Sequence, residues 1–159
     1  MSPTTAKFTV FEPPRGWARA RSGGGNWWVD AETKAKKQAL ALGFRLKYAH
    51  IASHPPDVPI RLSVIAFFSP PKSWAKFMLT ALEQDPTGPF SFMAVKPDSD
   101  NVLKLAADAL EGAAYVNDSR IFHSECGEYY TPWRPRYEIT INYFEPPPKT
   151  LAEYRRAQQ

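Results

Sequence analysis

A chain of 159 residues with 16 Pro, 8 Gly and one Cys has the size of one domain. Lone Cys126 excludes an internal disulfide, no CxxC pair suggests structural zinc, and no apolar run approaches the ~20 residues of a membrane span. The formal charge of +4 is uneven: residues 1–96 carry 13 Lys/Arg against 6 Asp/Glu, and residues 97–159 carry 7 against 10. A basic first half suits a polyanion, and an acidic second half suits cations. Hydrophobic content of 43% and five Trp argue against global disorder. Met1–Pro14 lacks the charged-then-apolar pattern of a secretory signal, so a cytoplasmic setting is expected.

In chain order, Lys7–Phe11 alternates and predicts a strand. A basic, Gly-rich segment follows from Arg15 to Trp28. Ala31–Leu46 predicts a helix capped by Asp30, with Ala35, Ala39 and Leu42 on one side and Gly43 as a stop or kink. Arg61–Phe68 is the strongest strand pattern. Ser73–Glu83 reads as a helix with Ser73 as its cap and an apolar stripe of Trp74, Phe77, Met78 and Leu82. Phe92–Val95 reads as a strand, and Asn101–Glu111 as a helix stopped by Gly112. Ala114–Val116 and Ile121–Glu125 are short strand candidates, and Tyr137–Phe144 alternates again. The polar tail, residues 146–159, reads as a loop plus a frayed helix that follows a domain of residues 1–145. The expected class is α+β, a mixed sheet flanked by two to three helices.

The informative stretch is Lys96-Pro97-Asp98-Ser99-Asp100-Asn101-Val102-Leu103-Lys104. On extended backbone, residues i and i+2 point to one side, which sets two carboxylates side by side. Their repulsion is relieved by a cation, and hard oxygen ligands suit Mg²⁺ or Mn²⁺. A DxD at a helix start also serves capping and solvation, so spacing alone does not separate the two uses. Asp100, Lys104 and Asp108 line one helix face, with Asp108 as a partner for the lysine. A third carboxylate, Asp118, follows at a strand-to-turn boundary. Arg15, Arg19 and Arg21 read equally as a solvated loop or a phosphate clamp, and Trp27 and Trp28 as packing or base-stacking groups. No GxGxxG, Walker-type loop, GxSxG or HExxH is present.

Three segments taken together are more specific: Lys96–Lys104, then Asp108-Ala-Leu-Glu-Gly112, then Tyr115-Val-Asn117-Asp118-Ser-Arg-Ile121. This compound pattern resembles the RusA family of Holliday junction resolvases. The resemblance implies a small homodimeric, Mg²⁺-dependent endonuclease, common in prophages, that resolves four-way DNA junctions by paired nicks. It implies that Asp98, Asp100 and Asp118 are the catalytic, metal-holding aspartates and that Lys104 is the functional lysine. Arg15, Arg19, Arg21, Lys34, Lys36, Lys37, Lys72 and Lys76 are then the expected contacts to DNA phosphates. One departure stands out: the family's paired aspartates appear here as Asn117-Asp118, which puts a second metal in doubt. Rival readings are a branched-DNA-binding protein without cleavage and a nuclease for flaps or forks.

Overall fold

The computed structural model describes residues 4–16, 21–23, 26–28 and 30–158. Its centre is a four-stranded mixed sheet, ordered β1 (Thr4–Val10), β6 (Arg136–Tyr143), β4 (Ile60–Phe68), β5 (Ile121–Tyr130). β1 and β4 run antiparallel to β6, and β4 and β5 are parallel. A separate hairpin pairs β2 (Arg21–Gly23) with β3 (Asn26–Trp28) inside the basic segment. Alternation in the sequence becomes one buried face. Ala6, Phe8 and Val10 of β1, Ile60, Leu62, Val64 and Ala66 of β4, and Tyr137, Ile139, Ile141 and Tyr143 of β6 form the sheet side of the core. The opposite face of the sheet carries polar pairs such as Arg61–Glu125 and Arg136–Glu138.

Helices α1 (Ala31–Lys47) and α4 (Ser99–Leu110) pack on each other, α1 against β1 and α4 against β4 and β5. Asp30 caps α1 as expected, its carboxylate accepting from the Thr33 N–H at 2.9 Å and the Thr33 hydroxyl at 2.8 Å. The buried face of α1 is Thr33, Lys36, Leu40, Ala41 and Phe44 rather than the predicted Ala35–Ala39–Leu42 side; Leu42 is 54% exposed. Alanines scattered around this helix blur its apolar stripe, so residue volume and the approach of Phe8 choose the face. Gly43 neither stops nor kinks α1. A Cβ there would sit 2.5 Å from Val10 Cγ2, so the glycine is where helix and strand touch.

A four-residue turn of helix, α2 (Ala49–Ala52), follows α1, and α5 (Leu151–Ala157) closes the exposed tail with a Thr150–Glu153 capping box. α3 spans Lys76–Gln84 and starts after Ala75, not at Ser73. Of its predicted stripe only Leu82 is fully buried, and Phe77 is 68% exposed. Phe92–Val95 is not a strand: it contributes one bridge, Phe92 to Tyr129. Ala114–Val116 likewise forms a single bridge, Glu111 to Tyr115. β5 runs past the predicted Ile121–Glu125 to Tyr130. Gly112, at φ +72°, ends α4 in the left-handed conformation that glycine tolerates best. No helix among the described residues is long and apolar enough to cross a membrane.

Candidate active site

The chain leaves β4 at Phe68, passes through α3 and α4, and returns to pair β5 in parallel beside β4. α4 therefore runs back along the sheet. Its first residues lie at the carboxyl ends of the parallel pair, where open α/β sheets characteristically place ligands. Asp98 is the residue before α4, and Asp100 lies in its first turn. The positive end of the helix favours carboxylates at both places. Asp98 stands at the cap position yet its side chain makes no capping hydrogen bond. That carboxylate is not spent on the helix.

A third carboxylate faces them, and the sequence pattern did not single it out. In the parallel register Leu62, Val64 and Ala66 pair with Ser124, Cys126 and Glu128. Registered partners share a face, so Glu128 projects on the core side, next to Ala66 and under the start of α4. It lines a depression of about 390 Å³ with Lys96, Pro97, Asp98 and Ser99. Burial, then the charges of Asp98 and Asp100, push the Glu128 carboxyl up to about 7. Among the described residues its buried Oε1 has no hydrogen-bond partner. Two features hid Glu128 in the sequence: Gly127 interrupts the strand pattern, and β5 was expected to end at Glu125. The alternation Ser124-Cys126-Glu128-Tyr130 is the pattern that marks it.

Asp118 lies elsewhere. It opens a short 3₁₀ turn, Asp118–Arg120, just before β5. That turn sits at the starting end of β4: the Val116 N–H donates to the Pro56 carbonyl, and Arg120 pairs with Asp57. The 12 residues of α4 separate the two ends by about 18 Å at 1.5 Å per residue. Among the described residues, no three His, Cys, Asp or Glu side chains are gathered closely enough to hold a metal as they stand. Asn117, the departure from the family pattern, caps the turn: its Oδ1 accepts the Ser119 N–H at 2.9 Å. Lys104 is exposed, one helical turn beyond Asp100. Asp108 pairs with Lys37 at 3.0 Å.

The basic residues divide. Arg15 pairs with Asp30 at 3.0 Å and with Glu32, so its charge ties the N-terminal loop to the start of α1. Lys36 is 9% exposed and pairs with Glu12 at 3.0 Å. Lys34, Lys72 and Lys76 are exposed. Arg21 is on β2, and Arg19 lies outside the described residues. The loop that leads into this segment crosses the candidate site. A Cβ at Gly16 would be 2.7 Å from Pro97 Cβ and 3.3 Å from Asn101 Cβ. Contact this close requires glycine, and it sets the basic segment beside the Asp98–Asp100 motif.

Other chemistries fit poorly. Burial pushes the Cys126 thiol up to about 12, so no thiolate nucleophile is present near neutral pH. The larger cavity, about 570 Å³, lies between α2 and the far end of β6, lined by His50, His54 and Tyr143 among others. It is at the opposite end of the sheet from Asp98, Asp100 and Glu128, and none of the predicted site residues lines it. A family model described as Endodeoxyribonuclease RusA matches residues 11–142. No curated protein matches the chain.

Proposed function

Because the chain belongs to the RusA endodeoxyribonuclease family, a nuclease family that acts on Holliday junctions, we propose that it is a Mg²⁺-dependent resolvase that cuts four-way DNA junctions by paired symmetric nicks. One observation carries the metal dependence: Asp98, whose side chain makes no capping bond, and neighbouring Asp100 lie near a buried Glu128 oxygen that has no partner among the described residues. Oxygen donors of this kind fit Mg²⁺, and Mn²⁺ as a substitute. Asp98 and Asp100 would hold the ion. When bound, it supplies Lewis-acid stabilisation of the phosphate and a water of lowered pKa.

Lys104 places a positive charge one turn from Asp100, suited to the charge that develops on the scissile phosphate. Exposed Lys34, Lys72 and Lys76 and the segment holding Arg19 and Arg21 suit contacts to the DNA backbone, which position the duplex without reading sequence. The working form would be a homodimer. A four-way junction offers two equivalent strands, and a two-fold dimer offers two equivalent sites. The position of Asp118 supports this further. With one α4 length between it and Asp98, Asp118 would serve the phosphate held at the other copy's Asp98.

The test is cleavage of a synthetic four-way junction, compared with a flap, a fork and a plain duplex. Wild type is expected to nick the junction in Mg²⁺ and not in EDTA. Asp98→Asn is expected to slow nicking about 100-fold or more while junction binding persists. Wild-type rates in that variant would refute the site, and preferred cutting of flaps would refute the substrate.

A further inference from the structure

We infer that Glu128 is a ligand of the same divalent cation, contributed by the chain that contributes Asp98 and Asp100; this rests on the reading above. The geometry is independent of any sequence motif. β5 register puts Glu128 on the core side beside Ala66, and the 390 Å³ depression joins it to Asp98. Glu128 Oε1 is buried, with no donor among the described residues. A carboxylate with only a structural job would be met by a backbone N–H or a basic side chain, because an unpaired buried acceptor is costly. Its charged neighbours include the Asp98 and Asp100 carboxylates, and Lys96 lines the same depression without a hydrogen bond to Oε1 among the described residues. A divalent cation among the three would offset their mutual repulsion and give the orphaned oxygen a partner. The exposed side chains of Asp98 and Asp100 are free to swing toward an ion, whereas Glu128 is held by the sheet and would fix where the ion sits.

The strand also explains a division of labour. Asp98 and Asp100 ride on the start of a helix and Glu128 on the end of a strand, so the ion would tie the crossover connection to the sheet.

Mn²⁺ binding to the full-length protein, followed by calorimetry and by loss of the free-ion electron paramagnetic resonance signal, tests this without DNA or turnover. Removing groups that merely support a metal ligand typically weakens affinity about 10–100-fold, and Glu128→Gln is expected to lose at least that much. Glu125→Gln, on the opposite face of the same strand and paired with Arg61, should bind as wild type. Glu128→Asp keeps the charge on a shorter arm and should fall between wild type and Glu128→Gln; it also serves if the Gln variant fails to fold. If Glu128→Gln and Glu128→Asp bind Mn²⁺ as wild type does while Asp98→Asn does not, Glu128 is no ligand and the aspartate site stands. If wild type itself binds no Mn²⁺, the proposed metal site falls along with this inference.

Discussion

Tyr137 links the core to the candidate site, and removing its hydroxyl tests that link. The ring is fully buried in β6. Its hydroxyl accepts the Arg15 N–H at 2.7 Å and donates to the Arg15 carbonyl at 3.3 Å. The next residue, Gly16, is the one pressed against Pro97 and Asn101. Tyr137→Phe keeps the ring and deletes both bonds. Each is worth about 0.5–1.5 kcal/mol, and the longer one lies at the weak end, so the loss is about 1–2 kcal/mol. At roughly 2.1 cal/mol/K per residue, 159 residues unfold with about 330 cal/mol/K, so Tm should fall by about 3–6 °C. Circular dichroism melts read this directly. Junction affinity should also fall, because the basic segment loses its anchor beside the carboxylates, whereas Mn²⁺ affinity should hold. A Tm within a degree of wild type would refute the clasp, and unchanged junction affinity would refute its role in placing the basic segment.

A homodimer whose two chains share each site should show complementation between inactive variants. Neither Asp98→Asn nor Asp118→Asn should nick alone, but mixed and re-equilibrated they should form heterodimers with one intact composite site, giving single nicks that gel analysis separates from paired cuts. No recovery would show that both aspartates act within one chain. For stability, Glu12→Gln leaves the Lys36 ammonium buried without its partner and should cost about 1–2 kcal/mol, below the usual range because Glu12 is itself 44% exposed. Lys36→Met removes the charge with it and should be close to neutral. A Glu12→Gln protein as stable as Lys36→Met in urea unfolding would overturn the account of this pair.

Legibility in the sequence tracked how strongly one face of an element is buried. β6 and β4 were readable because Tyr137, Ile139, Ile141 and Tyr143, and Leu62, Val64 and Ala66, alternate against a single core. α4 was found from Leu103, Ala106, Ala107 and Leu110 at helical spacing and the stop at Gly112, although its fully buried face is Val102, Leu105, Ala106, Ala109 and Leu110. α1 was found but turned the wrong way, since alanines make up half of its apolar residues and blur the stripe. The Phe92–Val95 strand failed because apolar content alone does not supply a pairing partner beyond Tyr129. At the site, Asp98 and Asp100 were visible as a local pattern. Glu128 was not, because its meaning depends on a register with β4, across more than fifty residues of intervening chain. The same non-locality hid the separation of Asp118, which looked near in sequence and is one helix length away. It also hid the inward ion pairs of Arg15 and Lys36, whose partners sit on other elements.

The parallel pairing of β4 with β5 also sets when the site can exist. Everything from Phe68 to Ile121 is the connection between those two strands, and it holds both α3 and α4. Closing such a connection is slow, because loop entropy is lost before the distant contacts form. Asp98 and Asp100 can be in place on a formed α4 well before that, but they have no strand partner until β5 docks. A nascent or partly folded chain therefore carries the motif without the cleft. The step that completes the sheet is therefore also the step that brings Glu128 to the start of α4.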